Sequence, residues 1–499
     1  MELQFHKDQI SCLANAFHDC KNLELTQEIR LTDGMPDIGR ILGVWGQPVI
    51  RSKEWRTDSV GMSGGVMAWV LYVPEDGTEF RSMETWIPMQ MSMDIPDHIP
   101  EGVLRILPMI RFADGRSISA RKIMLRIGIN VLCQALYPME KFLYQPDKIP
   151  EDIQILRNTY PVRLWKEAGE RGFTLDEDIS VPENMPKPEK ILAYTMQPEI
   201  HENKLIGSRL LFKGNGNLRV LYRCSAGKLH IHDFELPFSQ YADLQTEYGR
   251  DAGVDMYIAL TNLEVDSRQD RQLYLKCSLI EQYRIDDLQT LEILEDAYST
   301  HRCVELDMAE LELPVVLDKK TEILTAEQMI PGVSDPLTSL SFYPDQPRIR
   351  SSENGITTEQ SALFQGILSG EDHVLQRINA RWEGSLNIPV DRNVKVDMTV
   401  QAKGFPKSIS GLEGTTVTGQ VQAQMTFSTD QKFSVVSGME LGDVEEQNPD
   451  RPSLILYRPC GERLWDIAKR NGSTVQIIRD ANGIDNEAEP GRMLLIPVS

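Results

Sequence analysis

Ile123-Met-Leu-Arg-Ile-Gly-Ile-Asn-Val131 is the stretch that decides the fold class. Its apolar residues Ile123, Leu125, Ile127, Ile129 and Val131 occupy every second position, with Met124, Arg126, Gly128 and Asn130 between them. A period of two places one set of side chains on a buried sheet face and the other on the opposite, solvent-directed face. Leu273, Leu275, Cys277 and Leu279 repeat the pattern, as do Val417, Gly419, Val421, Ala423, Met425 and Phe427. Turn signals stand between such runs at Glu75-Asp-Gly77, Ala113-Asp-Gly115 and Ala226-Gly227. The chain reads as mainly β, built from antiparallel β-sandwich-like units.

Those units recur. Met35-Pro36, Ile41-Leu42 and Gln47-Pro48-Val49-Ile50 return at a constant offset of 150 as Met185-Pro186, Ile191-Leu192 and Gln197-Pro198-Glu199-Ile200. Val70-Leu71-Tyr72 becomes Val220-Leu221-Tyr222, and Arg121 becomes Arg271. A fainter third copy keeps Gln346-Pro347-Arg348-Ile349 and Ile388-Pro389-Val390. Three tandem repeats result, at 1–160, 161–305 and 306–441, then an acidic, proline-bracketed linker at 442–452 and a small α+β (βααβ) domain at 453–499. If Gln47-Pro48 and Gln197-Pro198 are internal, the shared signature is architectural. Few helices are expected in the repeats. Ile10, Leu13, Ala14 and Phe17 have helical spacing, and 162–170 reads as a second short helix, although both segments could equally cap the sandwiches.

Composition narrows the partners. With 499 residues and 41% hydrophobic content the chain is globular and multi-domain. Lys plus Arg minus Asp plus Glu is 52 − 74 = −22, which opposes nucleic acid or anionic membranes and favours basic protein surfaces. The first ten residues carry an acid and no apolar core, so they do not read as a secretion signal, and no run approaches the roughly 18–20 apolar residues of a membrane span. Seven cysteines without CxxC spacing imply reduced thiols and a cytoplasmic location, with Cys133 and Cys277 acting as small buried hydrophobes.

Catalytic patterns are missing: there is no phosphate loop, His-Glu-x-x-His helix or nucleophile elbow. Gly61-Met-Ser63-Gly64-Gly65 reads as a turn and Gly214-Asn-Gly216-Asn as a hairpin turn. His230 and His232 would share a strand face beside Asp233, and without a third ligand they read as polar residues facing solvent. The acids of 281–295, with Asp286-Asp287, Glu292 and Glu295, lack calcium-loop spacing and read as a solvated face. The expectation is a non-enzyme with no catalytic residues, metal or cofactor.

The tail is different in kind. Tyr457-Arg-Pro-Cys-Gly461-Glu-Arg-Leu464-Trp465-Asp-Ile467-Ala468, followed by Val475, Ile478, Asn482-Gly483, Pro490-Gly491 and Leu494-Leu-Ile496-Pro497, resembles a LysM module. Leu464, Ile467, Ala468, Val475, Ile478 and Leu494 fit its core. The resemblance implies a groove for a partner or glycan bordered by Gly461, Glu462, Arg463, Trp465, Asn482, Gly483, Pro490, Gly491 and Arg492. Trp465 has two readings, as packing against the helix pair or as an exposed aromatic anchor. Glycan-binding LysM turns resemble Gly-Asp-Thr/Ser-Leu, whereas this one is Gly461-Glu462-Arg463-Leu464. Arg463 would fill space needed by a sugar acetamide, yet it can pair with a protein carboxylate.

The body resembles the DUF3794 family of spore-forming Firmicutes. The residues that carry the likeness are Gln27-Glu28-Ile29, Asp33-Gly34-Met35-Pro36-Asp37-Ile38-Gly39-Arg40-Ile41-Leu42, Gly64-Gly65-Val66-Met67-Ala68-Trp69-Val70-Leu71-Tyr72 and Trp86-Ile87-Pro88. Tandem repeats of this kind ending in a LysM-like tail are similar to the SipL-type spore-morphogenesis family. That resemblance implies a scaffold in mother-cell spore coat assembly at the forespore surface, whose tail docks a SpoIVA-like coat morphogenetic protein. The alternative is binding of peptidoglycan or other N-acetylglucosamine glycans at the cortex or cell wall.

Overall fold

The computed structural model describes residues 2–77, 79–96, 99–333, 337–352, 355–369, 375–444, 452–487 and 490–498. Strands dominate, in three successive sets. The first comprises β1 (Phe5–Arg30), β2 (Ile38–Trp55), β3 (Ser59–Pro74), β4 (Arg81–Asp94), β5 (Val103–Ser119) and β6 (Lys122–Pro146). They form two antiparallel three-stranded sheets, β2-β3-β4 and β1-β6-β5. Val66, Val70 and Ile87 of one sheet share a buried core with Ile106, Ile123 and Ile127 of the other, so the two sheets pack face to face.

The second set repeats this plan with β7 (Ile153–Ser180), β8 (Pro188–Ile206), β9 (Arg209–Cys224), β10 (Leu229–Asp243), β11 (Gly253–Ser267) and β12 (Gln272–Ser299). Its sheets are β10-β9-β8 and β11-β12-β7. The constant offset is structural: the Tyr72 hydroxyl donates to the Pro36 carbonyl at 3.2 Å, and Tyr222 does the same to Pro186 at 3.0 Å.

The third set contains β13 (Arg302–Pro331), β14 (Leu337–Pro344), β15 (Arg348–Ser352), β16 (Gly355–Ser369), β17 (Leu375–Ile388), β18 (Lys395–Ser410) and β19 (Gly414–Val444). β13-β19-β18 is the counterpart of the long sheets, while β14 and β15 both pair with β16, which pairs with β17. The interruption between β14 and β15 falls at Asp345-Gln346-Pro347, where proline supplies no ladder N–H. Residues 442–444 of the expected linker complete β19, and 445–451 lie outside the described residues.

Both expected helices are strands. Ile10, Leu13, Ala14 and Phe17 lie in β1, and 162–170 lies in β7. A β-bulge explains the misleading spacing. In β1 the register skips Ala16, between Asn15 and Phe17; in β7 it skips Lys166, between Trp165 and Glu167. One extra residue moves the buried positions from even to odd numbers, from Val162 and Leu164 to Trp165 and Glu167 in β7. A phase change of that kind imitates helical spacing.

Three expected turns are also strand interior. Ala113-Asp-Gly115 lies in β5, Gly61–Gly65 in β3 and Gly214–Asn217 in β9. Close packing accounts for the glycines. A Cβ on Gly64 would lie 2.2 Å from the Val49 carbonyl oxygen, and one on Gly214 would lie 2.0 Å from that of Glu199. The turns at Gly77 and Gly227 are present, with φ of +66° and +75°.

The acidic stretch is a solvated face only in part, with Glu292 exposed and Asp287 and Glu295 half-buried, and the histidine pair does not face solvent. Glu281 and Asp286 are fully buried in β12, the central strand of its sheet. Asp286 receives Arg163 Nη1 at 2.6 Å and also contacts Lys319 of the third set. Both Glu281 oxygens lack hydrogen-bond partners, and burial pushes its carboxyl up to about 8. His230 and His232 share the inward parity of Phe234, Leu236 and Phe238 and are half-buried, His232 edge-on to Phe234 at 4.6 Å. Burial lowers the pKa of both rings.

The sets meet one another around a common junction. Gln47 of the first accepts from the Met196 N–H of the second at 2.8 Å, and Gln197 of the second donates to Ala402 of the third at 2.6 Å. Arg111 of the first returns to Asp345 of the third at 2.8 and 3.1 Å. The Gln-Pro signature is therefore internal and architectural. Arg105, Asp255 and Asp397 occupy corresponding register positions opposite Gln134, Arg284 and Thr426. Asp255 accepts from Arg105 at 3.2 Å and Arg284 at 2.7 Å. Burial opposes its charge, but the two guanidinium groups outweigh that and hold the carboxyl well below the usual range. The ends of the three long strand pairs, β1-β6, β7-β12 and β13-β19, also share a core, with Ile10 and Leu143, Leu164 and Leu291, and Leu313 and Val435.

Candidate functional site

The tail forms β20 (Leu454–Tyr457), α1 (Leu464–Asn471), α2 (Val475–Asn482) and β21 (Leu494–Pro497), with β20 and β21 antiparallel. Leu464, Ile467, Ala468, Ile478, Leu494 and Ile496 are all 0% exposed, and Trp465 joins them in the core with Val475 packed against it. Both helices stop where a left-handed residue follows, at Gly472 (φ 62°) and Gly483 (φ 60°). Thr474 caps α2 by accepting from Ile477 N at 3.1 Å. At α1 Arg463 gives no side-chain cap. Its place is taken by Glu487, whose carboxylate accepts from Leu464 N at 2.6 Å.

Each residue of the expected groove has a definite position. Glu462 accepts from the Tyr457 hydroxyl at 2.5 Å and from Cys460 N at 2.8 Å, and pairs with Arg470 at 3.3 Å. These hydrogen bonds, with that from Tyr457 the largest influence, bring its carboxyl down to about 2. Arg463 is exposed and forms a bidentate pair with Asp466, at 3.0 and 3.1 Å. Gly461 and Gly491 adopt φ of +99° and +82°. Pro490 and Arg492 are exposed. Asn482 is structural: its side chain donates to Leu495 O at 2.6 Å and accepts from Leu495 N at 2.7 Å, which satisfies the outer edge of β21.

The two loops that would border a groove are tied together. Gly491 N donates to Pro459 O at 2.9 Å and Arg458 Nε to Gly491 O at 3.1 Å, while Glu487 spans from the far loop to Leu464. Gly461, Glu462, Arg463, Pro490, Gly491 and Arg492 thus belong to one side of the module.

Trp465 lies elsewhere. It is 7% exposed and packs edge-on against Tyr298 of β12, ring centroids 4.8 Å apart. Its Nε1 donates to Asp296 at 2.8 Å, Lys469 pairs with the same carboxylate at 2.6 Å, and the Tyr298 hydroxyl donates to Ser473 O at 2.9 Å. The ring is packed in the core with the helix pair rather than exposed, and the body of the same chain completes its surroundings. Asp296, Tyr298 and Glu487 escaped the sequence reading because nothing local to them signals a contact about 170 residues away or a cap about 23 residues away.

A family model of the LysM domain matches residues 461–497, and one described as SipL, SPOCS domain, matches residues 187–266. The chain carries both domains. No curated protein and no solved structure matches it. The SPOCS match spans β8, β9, β10 and most of β11, one whole sheet and the edge strand of its partner. Together the two domains suggest a sporulation protein with a peptidoglycan-binding module. Among the described residues no helix is long and apolar enough to cross a membrane, and no cluster of three or more His, Cys, Asp or Glu could hold a metal. All seven cysteines are free, Cys133 and Cys277 fully buried.

Proposed function

We propose that the protein is a non-enzymatic scaffold of spore coat assembly in the mother-cell cytoplasm, its DUF3794-like repeats forming a rigid body and its LysM domain docking a SpoIVA-like coat protein. The state of Glu462 carries this reading. The position that offers a short polar side chain to sugar in glycan-binding LysM turns here holds a carboxylate engaged by Tyr457, Cys460 N and Arg470. Beside it, Arg492 is exposed and Arg463, also exposed, is held in place by Asp466, so two guanidinium groups stand on a chain of net charge −22 where a carboxylate-bearing protein surface could meet them. Co-purification of the full chain with a SpoIVA-like protein tests the proposal. Arg463→Asp and Arg492→Asp should each weaken capture about tenfold or more, and undiminished capture by both would remove the interface.

Peptidoglycan binding is the second reading, favoured by the LysM match itself and by the glycine turns at Gly483 and Gly491. Saturable retention of the full chain on purified peptidoglycan, lost in Gly491→Val, would establish it in place of the first.

A further inference from the structure

The three strand sets line a half-open cavity of about 200 Å³ at their junction. Pro48 and Met109 line it from the first set, Thr195 and Pro198 from the second, and Phe342 and Phe405 from the third. Its conspicuous polar neighbours are already engaged. Gln47 and Gln197 each make a hydrogen bond to a neighbouring set, and Arg219 is held by Asp233 in two bonds of 2.7 Å and by Leu340 O at 2.8 Å. The lining prolines have no N–H with which to pair a strand. The lining is more apolar than polar, which favours a neutral occupant with an apolar body that enters as a side group rather than as an added strand. Drug-sized sites hold roughly 300–1,000 Å³, so this space suits a single ring system.

The third set is reshaped at this point. β5 and β11 each carry a one-residue bulge, at Arg111 and Thr261, whereas the β18 register jumps from Lys403 to Lys407 and leaves Gly404, Phe405 and Pro406 unpaired. Gly404 takes φ +64°, a conformation that favours glycine. The extra residues bring a half-exposed Phe405 to the cavity wall, where the Arg219 guanidinium stacks on it at 4.1 Å. Two of the three sets need no such loop to close the same junction. Bulges of this kind commonly re-aim a side chain at a functional site.

We propose that this cavity is a socket for a neutral aromatic ring of phenyl or indole size, supplied either as a free small molecule or as a side chain of a partner. Ligand-observed saturation-transfer NMR on the full chain tests it, with indole and N-acetyltryptophanamide at up to about 1 mM as probes. Both should receive saturation from the wild-type protein. Thr195→Phe, which fills the cavity from β8, should abolish transfer, and Phe405→Ala should weaken binding about tenfold with an unchanged thermal midpoint. Trp86→Ala, at an exposed aromatic of the outer sheet, should change nothing. Tighter binding of the amide than of indole would identify a peptide-borne side chain, and the reverse a free ring compound. Absence of transfer to the wild type, or transfer indifferent to both cavity variants, overturns the proposal. If Thr195→Phe does not fold, Gln401→Phe fills the same space from β18 and is judged by the same criterion.

Discussion

The junction of the three strand sets and the seat of the LysM domain are both contacts between folded units with a carboxylate at the centre. They are built in opposite ways. At the junction Asp255 lies between Arg105 and Arg284, which are 0% and 1% exposed, and the guanidinium planes stack on Tyr257 at 4.0 Å and Trp165 at 3.8 Å. At the seat Asp296 receives one indole N–H and one surface lysine, with Lys469 about half as exposed as a free side chain. The first is a desolvated network in which loss of one member strands another charge. The second is an aromatic contact with a polar latch at its rim. Near-symmetric repeats also need asymmetry to choose their neighbours: three arginines at the Arg105, Asp255 and Asp397 positions would repel, whereas here Arg105 pairs with Asp255 and Asp397 turns to His18 at 3.2 Å.

Asp255→Ala should be the most damaging way to break this contrast, costing about 3–5 kcal/mol because two buried guanidinium groups lose their counter-charge. Denaturant unfolding of the full chain would measure it, and a change similar to that of an exposed alanine variant would refute the role given to the network. Glu281→Gln probes the same region through pH. The folded carboxyl titrates near 8 against about 4.5 when unfolded, so stability is full below the unfolded value and falls as pH rises through the folded one. The glutamine variant should lack that decline and be more stable than the wild type by on the order of 2–4 kcal/mol at alkaline pH. Parallel stability–pH curves for the two proteins would contradict the buried, unpaired state.

At the seat the effects should be smaller. Trp465→Phe keeps the ring and removes the bond to Asp296, which should cost about 1–2 kcal/mol and speed amide exchange around Tyr298 and Ser473 without unfolding the body. Unaltered exchange there would show that the latch contributes nothing. Glu487→Ala removes the cap on Leu464 N and should lower the stability of the LysM domain alone by about 1 kcal/mol, read from exchange within α1.

Much of the fold was legible because burial imposes alternation on a strand wherever its ladder is regular. Ile123 to Val131 shows this, and every odd residue in the run is 0% exposed. Legibility failed where the ladder is irregular. The skipped Ala16 and Lys166 make two strands look helical, and Gly64 and Gly214 look like turns although neighbouring carbonyls exclude any side chain. The tail's core was readable for the same reason as the strands, through its aliphatic spacing. Its interactions were not: Glu462 is engaged within the module, and Trp465 has the body as its partner.

The sequence by itself determined the β class, the 150-residue recurrence and the LysM order, since each is written in local periodicity and in spacing along the chain. Only the tertiary structure decided which acids are buried, which side of the tail meets the body and that three repeats line a common cavity. Those properties depend on residues 100 to 300 positions apart being desolvated together, as when Arg105 meets Gln282 or Arg111 meets Asp345, and no local pattern records that event.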